Sequence, residues 1–486
     1  MTSNTASPAN ATSSTPERCS SSSHDSLGGT HSRREFIRRS SLLAGAGVAA
    51  PFALDLAGLT SASAHAAGSD SGSGIDEYRA LVCVFMYGGN DHWNTMIPND
   101  AASYASYKSA RSDLARPRSS ILTLDPTHGW AEGRSFGFAP EWAGMKRLFD
   151  QEKLAVVANV GTLTEPVDKA AARDRARRPK ALFSHNDQQS IWQSQGPEGT
   201  TTGWGGRMAD IMLDDNGDNA AFTCISAGGD AVLLSGRHAS QFHVSPTGVV
   251  ALDPTARSPI MAEGLEAMMR RVDADSYVSE AYSQLTSRAL DTSDRLTELV
   301  RRSGGVNTWF PNSGIGKQLE TVAEMIKVGR DHLGLKRQVF FVATGGFDTH
   351  SNLTRKHPGL IGDIDQALVA FEKSTNELGI GDQVTTFTAS DFGRALTSNG
   401  DGTDHGWGSH HVVMGGAVAG RRVVGTQPVV AHDGPHDLGQ GRTIPTIAVD
   451  QYAASLASWM GAEGADIESV VPNIGRFETA DLGIMR

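Results

Sequence analysis

Six short apolar runs punctuate the chain, and each one stops at glycine or a small polar turn. Ala80–Met86 ends in Tyr87-Gly88-Gly89-Asn90-Asp91, and Leu154–Val160 ends at Gly161. Phe222–Ser226 runs to Gly228-Gly229, and Val339–Val342 to Gly345-Gly346. Val384–Thr388 runs to Ser390-Asp391-Phe392-Gly393, and Val412–Met414 to Gly415-Gly416. Nearly continuous apolar runs of this length predict strands buried on both faces. Between them the period changes to that of a helix. Ile361, Ile364, Leu368, Phe371 and Leu378 recur three or four apart, as do Leu319, Val322, Met325 and Ile326. Tyr277–Arg302 reads as a long polar helix, and Tyr452–Met460 as a last one carrying Leu456 and Trp459. Strands alternating with helices predict an α/β fold, a mostly parallel sheet sandwiched by helices. The rhythm breaks from 208 to 312, which reads as an insertion or cap. Residues 79–486 then form a single domain.

The N-terminal segment belongs to a different class. Ser32-Arg33-Arg34-Glu35-Phe36-Ile37 has the form of a twin-arginine export signal; a moderately apolar run to Leu54 and Ala64-His65-Ala66 follow it in the order of a leader and its cleavage site. Residues 1–66 are therefore expected to be a signal peptide handled by the twin-arginine export machinery, and 67–78, with its Gly/Ser repeats, a flexible linker. The expected destination is the periplasm or the outside of the cell. The apolar run is too short for a transmembrane segment. The leader holds 5 of the 43 basic and 4 of the 54 acidic residues, so the remaining 420 carry a net charge of −12. That sign argues against a nucleic-acid partner. Of the three cysteines, Cys83 and Cys224 lie outside the leader, in strand-like runs, and no Cys-x-x-Cys spacing occurs.

Candidate chemistry collects just past the predicted strand ends, where parallel sheets hold their ligands. Asp91 follows two glycines. Asp348 and His350 stand two apart in an extended segment and offer carboxylate oxygen and imidazole nitrogen, a donor pair suited to zinc, manganese or a similar divalent ion. Asp391 is another acid after a strand; Arg394, three residues on, either clamps an anionic ester or pairs with Asp391. The loop 402–411 packs Asp404, His405, His410 and His411 among three glycines. Asp404 either binds metal or orients His405. His410 and His411 open a strand, so at most one of them faces a site. Ser184 starts a helix in Phe183-Ser184-His185-Asn186-Asp187; it is a candidate nucleophile, although Ser-x-x-Asp is also a capping pattern. The six basic residues between Lys169 and Lys180 are a solvated face or an anion dock.

These residues bring a family with them. Leu81–Asp91 with its GGND ending, GGFDTH at 345–350, SDFGR at 390–394, GTDHGWGSHH at 402–411 and the segment from Asp450 to Met460 resemble the exported domain-of-unknown-function 1501 proteins. That family is similar in fold to the alkaline phosphatase and sulfatase superfamily, which holds divalent metal at the carboxyl edge of a mostly parallel sheet. The resemblance implies an alkaline-phosphatase-like domain with a helical insertion. It also implies metal ligands drawn from Asp91, Asp348, His350, Asp391, Asp404, His405 and His410, with Ser184 as nucleophile and Arg394 as anion clamp. The metal would be zinc, manganese, calcium or magnesium. The implied activity is hydrolysis of a phosphate or sulfate ester, with a small anionic ester or glycan as partner. Phe392 stands where the superfamily usually has histidine. That departure supports the alternative, a non-catalytic member that binds an extracellular glycan or a protein.

Overall fold

A computed structural model describes residues 77–130, 133–245, 248–249 and 291–486. The expected leader, nearly all of the linker, and 250–290 of the expected insertion lie outside the described residues.

Ten strands form the main sheet: β1 (Arg79–Met86), β2 (Leu154–Gly161), β3 (Cys224–Ser226), β4 (Gln241–Ser245), β5 (Gly248–Val249), β6 (Arg337–Thr344), β7 (Val384–Ser390), β8 (Ser409–Met414), β9 (Arg422–Val424) and β10 (Ile447–Ala448). Their order is β9-β2-β8-β7-β1-β6-β3-β4-β5, with β10 also on β2. All run one way except β8 and β5. The mostly parallel sheet sandwiched by helices is the one the apolar pattern predicts. β3, β4 and β5 extend its edge, so the first part of the 208–312 segment belongs to the sheet rather than standing apart from it. Of the predicted helix Tyr277–Arg302, residues 291–302 are described and are helical.

β1 explains the two-sided burial. Ala80, Val82, Val84 and Met86 enter one core, while Leu81, Cys83 and Phe85 enter the other. Alternation sends successive side chains to opposite faces, so a strand covered on both sides must be apolar throughout. Burying each large side chain contributes about 1.5–3 kcal/mol. Helices Gly314–His332 and Leu353–Glu377 cover the first face with the stripes that the spacing predicts, Leu319, Val322, Met325 and Ile326 on one and Ile361, Ile364, Leu368 and Phe371 on the other. Trp204–Met212 and Val449–Met460 cover the second face. Cys83 and Cys224 are both free and buried, with β6 between their strands. Among the described residues no helix is long and apolar enough to cross a membrane.

The register of the central strands sets up the site. Met86 lies beside Thr344 on one side and Ser390 on the other, all three strands parallel. The segments after β1, β6 and β7 therefore leave the sheet side by side at one edge.

Candidate metal centre

Glycine lets these segments close on one another. Gly88 has φ +113°, and a Cβ there would stand 2.3 Å from the Asp348 backbone nitrogen. Only glycine accepts both that φ and that contact. The Asp348 carboxylate is thereby held at the mouth of the edge, 44% exposed. Arg394 donates to its Oδ1 at 2.8 Å from a fully buried position. Partial burial pushes the Asp348 carboxyl up, but the Arg394 hydrogen bond and charge, with His350 and His185, outweigh it and hold it below the usual range.

Three imidazoles turn towards this carboxylate. His405 Nε2 is 3.2 Å from Oδ1, His350 Nε2 is 3.2 Å from Oδ1, and His185 Nε2 is 3.5 Å from Oδ2. His405 and His350 bring their Nε2 atoms within 2.8 Å of each other. What lies behind each ring decides what these nitrogens are. His405 Nδ1 is 2.7 Å from the Phe183 carbonyl, which can only accept, so its proton sits on Nδ1. His185 Nδ1 is 2.6 Å from the Asp391 carboxylate, which likewise places a proton on Nδ1. The Asp391 hydrogen bond and the charges of Asp391 and Asp348 raise the His185 pKa despite burial, whereas burial lowers that of His405. His350 Nδ1 faces Asp404 Oδ1 at 3.6 Å. In their neutral forms His185 and His405 thus aim lone pairs at a carboxylate. His185 Nε2 is buried without a hydrogen-bond partner.

A divalent cation would resolve this conflict, and the residues fit one. His185, Asp348 and His405 each offer a ligand atom within 4.8 Å of the others. His350 adds a fourth donor beside them. Imidazole nitrogen with one carboxylate suits zinc or a similar transition metal better than calcium or magnesium, which take oxygen. The hairpin carrying His405 is fastened to the segment carrying His350. Thr403 N donates to Thr349 O at 3.1 Å and Leu353 N to Asp401 O at 2.9 Å. A Cβ at Gly402 would stand 2.3 Å from the His350 carbonyl carbon, so the approach depends on that glycine.

The other expected residues fall elsewhere. Asp91 is buried, and both its oxygens go to Arg111, at 2.5 and 2.7 Å. Burial alone would raise its pKa, but Arg111 holds it low; no oxygen is left facing the cluster. Asp391 is also buried; its Oδ2 accepts from His185, from Gln189 Nε2 at 2.9 Å and from Gly88 N at 3.1 Å. It orients a histidine instead of joining the donors. Asp404 takes neither expected part, metal ligand or partner of His405; it stands behind His350 and accepts from Asn399 Nδ2 at 3.0 Å. His410 lies in the core: Asn159 N donates to its Nδ1 at 2.9 Å, and its ring meets His92 edge-on. Burial pushes its pKa down to about 3. His411 points to the opposite face, against Trp192 and Tyr452, and burial also takes it down to about 3.

The two catalytic candidates sit close to the cluster without taking the expected parts. Arg394 spends its donors on Asp348, Gly88 O, Thr403 O and Thr403 Oγ1. It is sealed from solvent and cannot clamp a ligand; it holds Asp348. Ser184 does precede the helix His185–Ser194, but its side chain makes no capping bond. The residue that joins the donor cluster is the next one, His185, which the sequence pattern leaves unmarked because the capping motif points to the serine. The signal for it was an imidazole at the first helical position, where a side chain can point off the helix end.

Residues 78–470 match the family model described as "Protein of unknown function (DUF1501)". The chain belongs to that family. A search of curated proteins gives no match for this family member. Among solved structures, the PsFucS1 sulfatase from Pseudoalteromonas sp. is 9% identical, with 84% of this chain and 74% of that one covered at a TM-score of 0.35. Ps i-CgsB in complex with k-i-k-neocarrahexaose is 11% identical, with 83% and 78% covered at a TM-score of 0.33. Likenesses this faint carry nothing about chemistry; the centre stands on its own geometry.

Proposed function

We propose that this family member holds one transition-metal cation through His185, Asp348 and His405, with His350 as the additional donor, and uses it on a phosphate or sulfate ester. The observation that carries the reading is the pair of imidazoles whose Nδ1 protons are fixed by Asp391 and the Phe183 carbonyl, leaving two Nε2 atoms aimed at one carboxylate. When bound, such a cation polarises an ester oxygen and acidifies a water. The chain's own part is to set up that centre. Asp391 and the Phe183 carbonyl fix two imidazole tautomers, Arg394 keeps Asp348 ionised, and Asp404 backs His350. Export through the twin-arginine route belongs to the same reading; N-terminal sequencing of protein recovered outside the cytoplasm checks it, and an intact leader there contradicts it.

One feature favours the alternative, a non-catalytic member that binds a glycan or a protein. The Phe392 ring lies against both His185 and His405, with centroids 4.9 and 4.6 Å away, and walls one side of the centre with hydrocarbon. Elemental analysis of the purified protein, with phosphate and sulfate ester turnover before and after chelation, separates the two. Bound metal with turnover that chelation abolishes is the expected result. Bound metal without turnover selects the alternative, and neither metal nor turnover overturns the metal reading.

A further inference from the structure

The sealing of Arg394 leaves the centre without the anion clamp that the sequence suggested, and another arginine stands at its mouth. Arg442 Nε donates to the His405 carbonyl at 2.9 Å, and its Nη2 is 3.9 Å from Asp404 Oδ2. It therefore touches one donor residue, His405, and the carboxylate behind another, His350. Its side chain is 24% exposed, and among the described residues Nη1 has no hydrogen-bond partner. Its loop is ordered in advance: the Asp437 carboxylate accepts from Gly439 N at 2.7 Å and Gly441 N at 2.8 Å, and Arg442 N donates to Gly439 O at 3.1 Å. A guanidinium held ready in this way gives up little freedom when it meets an oxyanion.

Beside it lies Phe183, one of two large hydrophobic side chains exposed among the described residues, at 37%. The Arg442 guanidinium carbon stands 4.8 Å over its ring. The carbonyl of the same residue fixes His405, so the ring cannot be far from the donors. The ring thus leaves apolar surface open beside a guanidinium and next to the donors.

We infer that Arg442 and Phe183 form the recognition face of the centre and that its ligand is a sugar bearing a sulfate or phosphate monoester. Arg442 Nη1 meets the ester oxyanion, a charge-assisted contact that neutral ligands cannot make. The open part of the Phe183 ring receives the C–H face of the sugar, which the electron-rich face of an aromatic ring attracts. The inference deepens the proposed function and rests on it for the place of the ester beside the donors.

The test uses the zinc-loaded protein and isothermal titration with glucose 6-sulfate, glucose 6-phosphate, glucose and inorganic sulfate, zinc content being measured on each sample. Both esters, or one of them, should bind wild-type protein well above glucose, and the pair distinguishes sulfate from phosphate as the preferred group. Arg442→Met should weaken ester binding by roughly 10–100-fold, the loss of one charge-assisted hydrogen bond, at wild-type zinc content. Phe183→Ala should weaken the esters several-fold and leave inorganic sulfate unchanged. Arg442→Met protein that binds the esters like wild type overturns the inference. So does zinc-loaded wild type that binds neither ester, and so does an Arg442→Met variant whose only defect is loss of zinc. Wild type that takes up no zinc instead sinks the metal reading beneath it.

Discussion

Asp91 and Asp348 follow neighbouring parallel strands at the same edge of the sheet, yet they have opposite fates. Asp91 is buried with a guanidinium on both oxygens, while Asp348 is half-exposed with one oxygen on Arg394 and three imidazoles around it. His405 and His410 repeat the contrast within one loop-strand segment. His405 has a carbonyl behind Nδ1 and turns Nε2 to the mouth. His410 takes a backbone N–H on Nδ1 and leaves Nε2 buried without a partner. Residue type and position beyond a strand do not make a ligand. The group behind the side chain does, because it decides whether a lone pair is free and where it points.

Breaking the buried half of the contrast should have the largest effect. Asp91→Ala strands the Arg111 charge in the core and should cost about 3–5 kcal/mol of stability in chemical denaturation, while metal content per folded molecule stays at wild type. Loss of metal along with stability would return Asp91 to the centre.

On the exposed half, Asp391→Asn removes the charge behind His185 without emptying the space. Metal affinity should fall about 10–100-fold by competition with a chelator, with the fold retained. An unchanged affinity would mean that Asp391 does not position the imidazole.

The smallest effect concerns acid. Burial depresses His410 and His411 to about 3 and His357 to about 4. Their unfolded value is about 6.5, so between roughly pH 6.5 and those depressed values the unfolded chain binds more protons than the folded one. The stability that these neutral rings contribute is full above about pH 6.5 and is lost as pH falls towards the depressed values. His411→Phe fills the space against Trp192 and Tyr452 without a titrating ring. It should reduce the slope of unfolding free energy against pH by up to about 1.4 kcal/mol per unit between pH 6 and 4, roughly one proton. An unaltered slope would show that His411 is not kept neutral.

How far the sequence carried differs between fold and site. Strand and helix periods were plain because a two-sided sheet needs continuous apolar runs and its covering helices need stripes. Asp348 and His350 were legible as residues beyond a strand end, and His405 as part of a loop dense in glycine and histidine. Arg111 was not, since it lies 20 residues from Asp91 at the end of a polar helix and nothing local ties the two together. The same holds for Arg394: its sealed position depends on the Thr403 and Gly88 carbonyls, which only the folded chain brings to it. His410 looked equivalent to His405 because the loop's glycines hide where the core begins. Ser184 stood out as a nucleophile because a hydroxyl at a helix start matches a pattern, and the donor imidazole of His185 beside it does not.

The central claim is that His185, Asp348 and His405 share one cation. Anomalous diffraction at the zinc edge from crystals of the zinc-loaded protein tests it most directly. The account predicts a single strong peak within bonding distance of His185 Nε2, His405 Nε2 and an Asp348 oxygen, with His350 at or beside it. No peak there, or one beside Asp91 or His410, would contradict it.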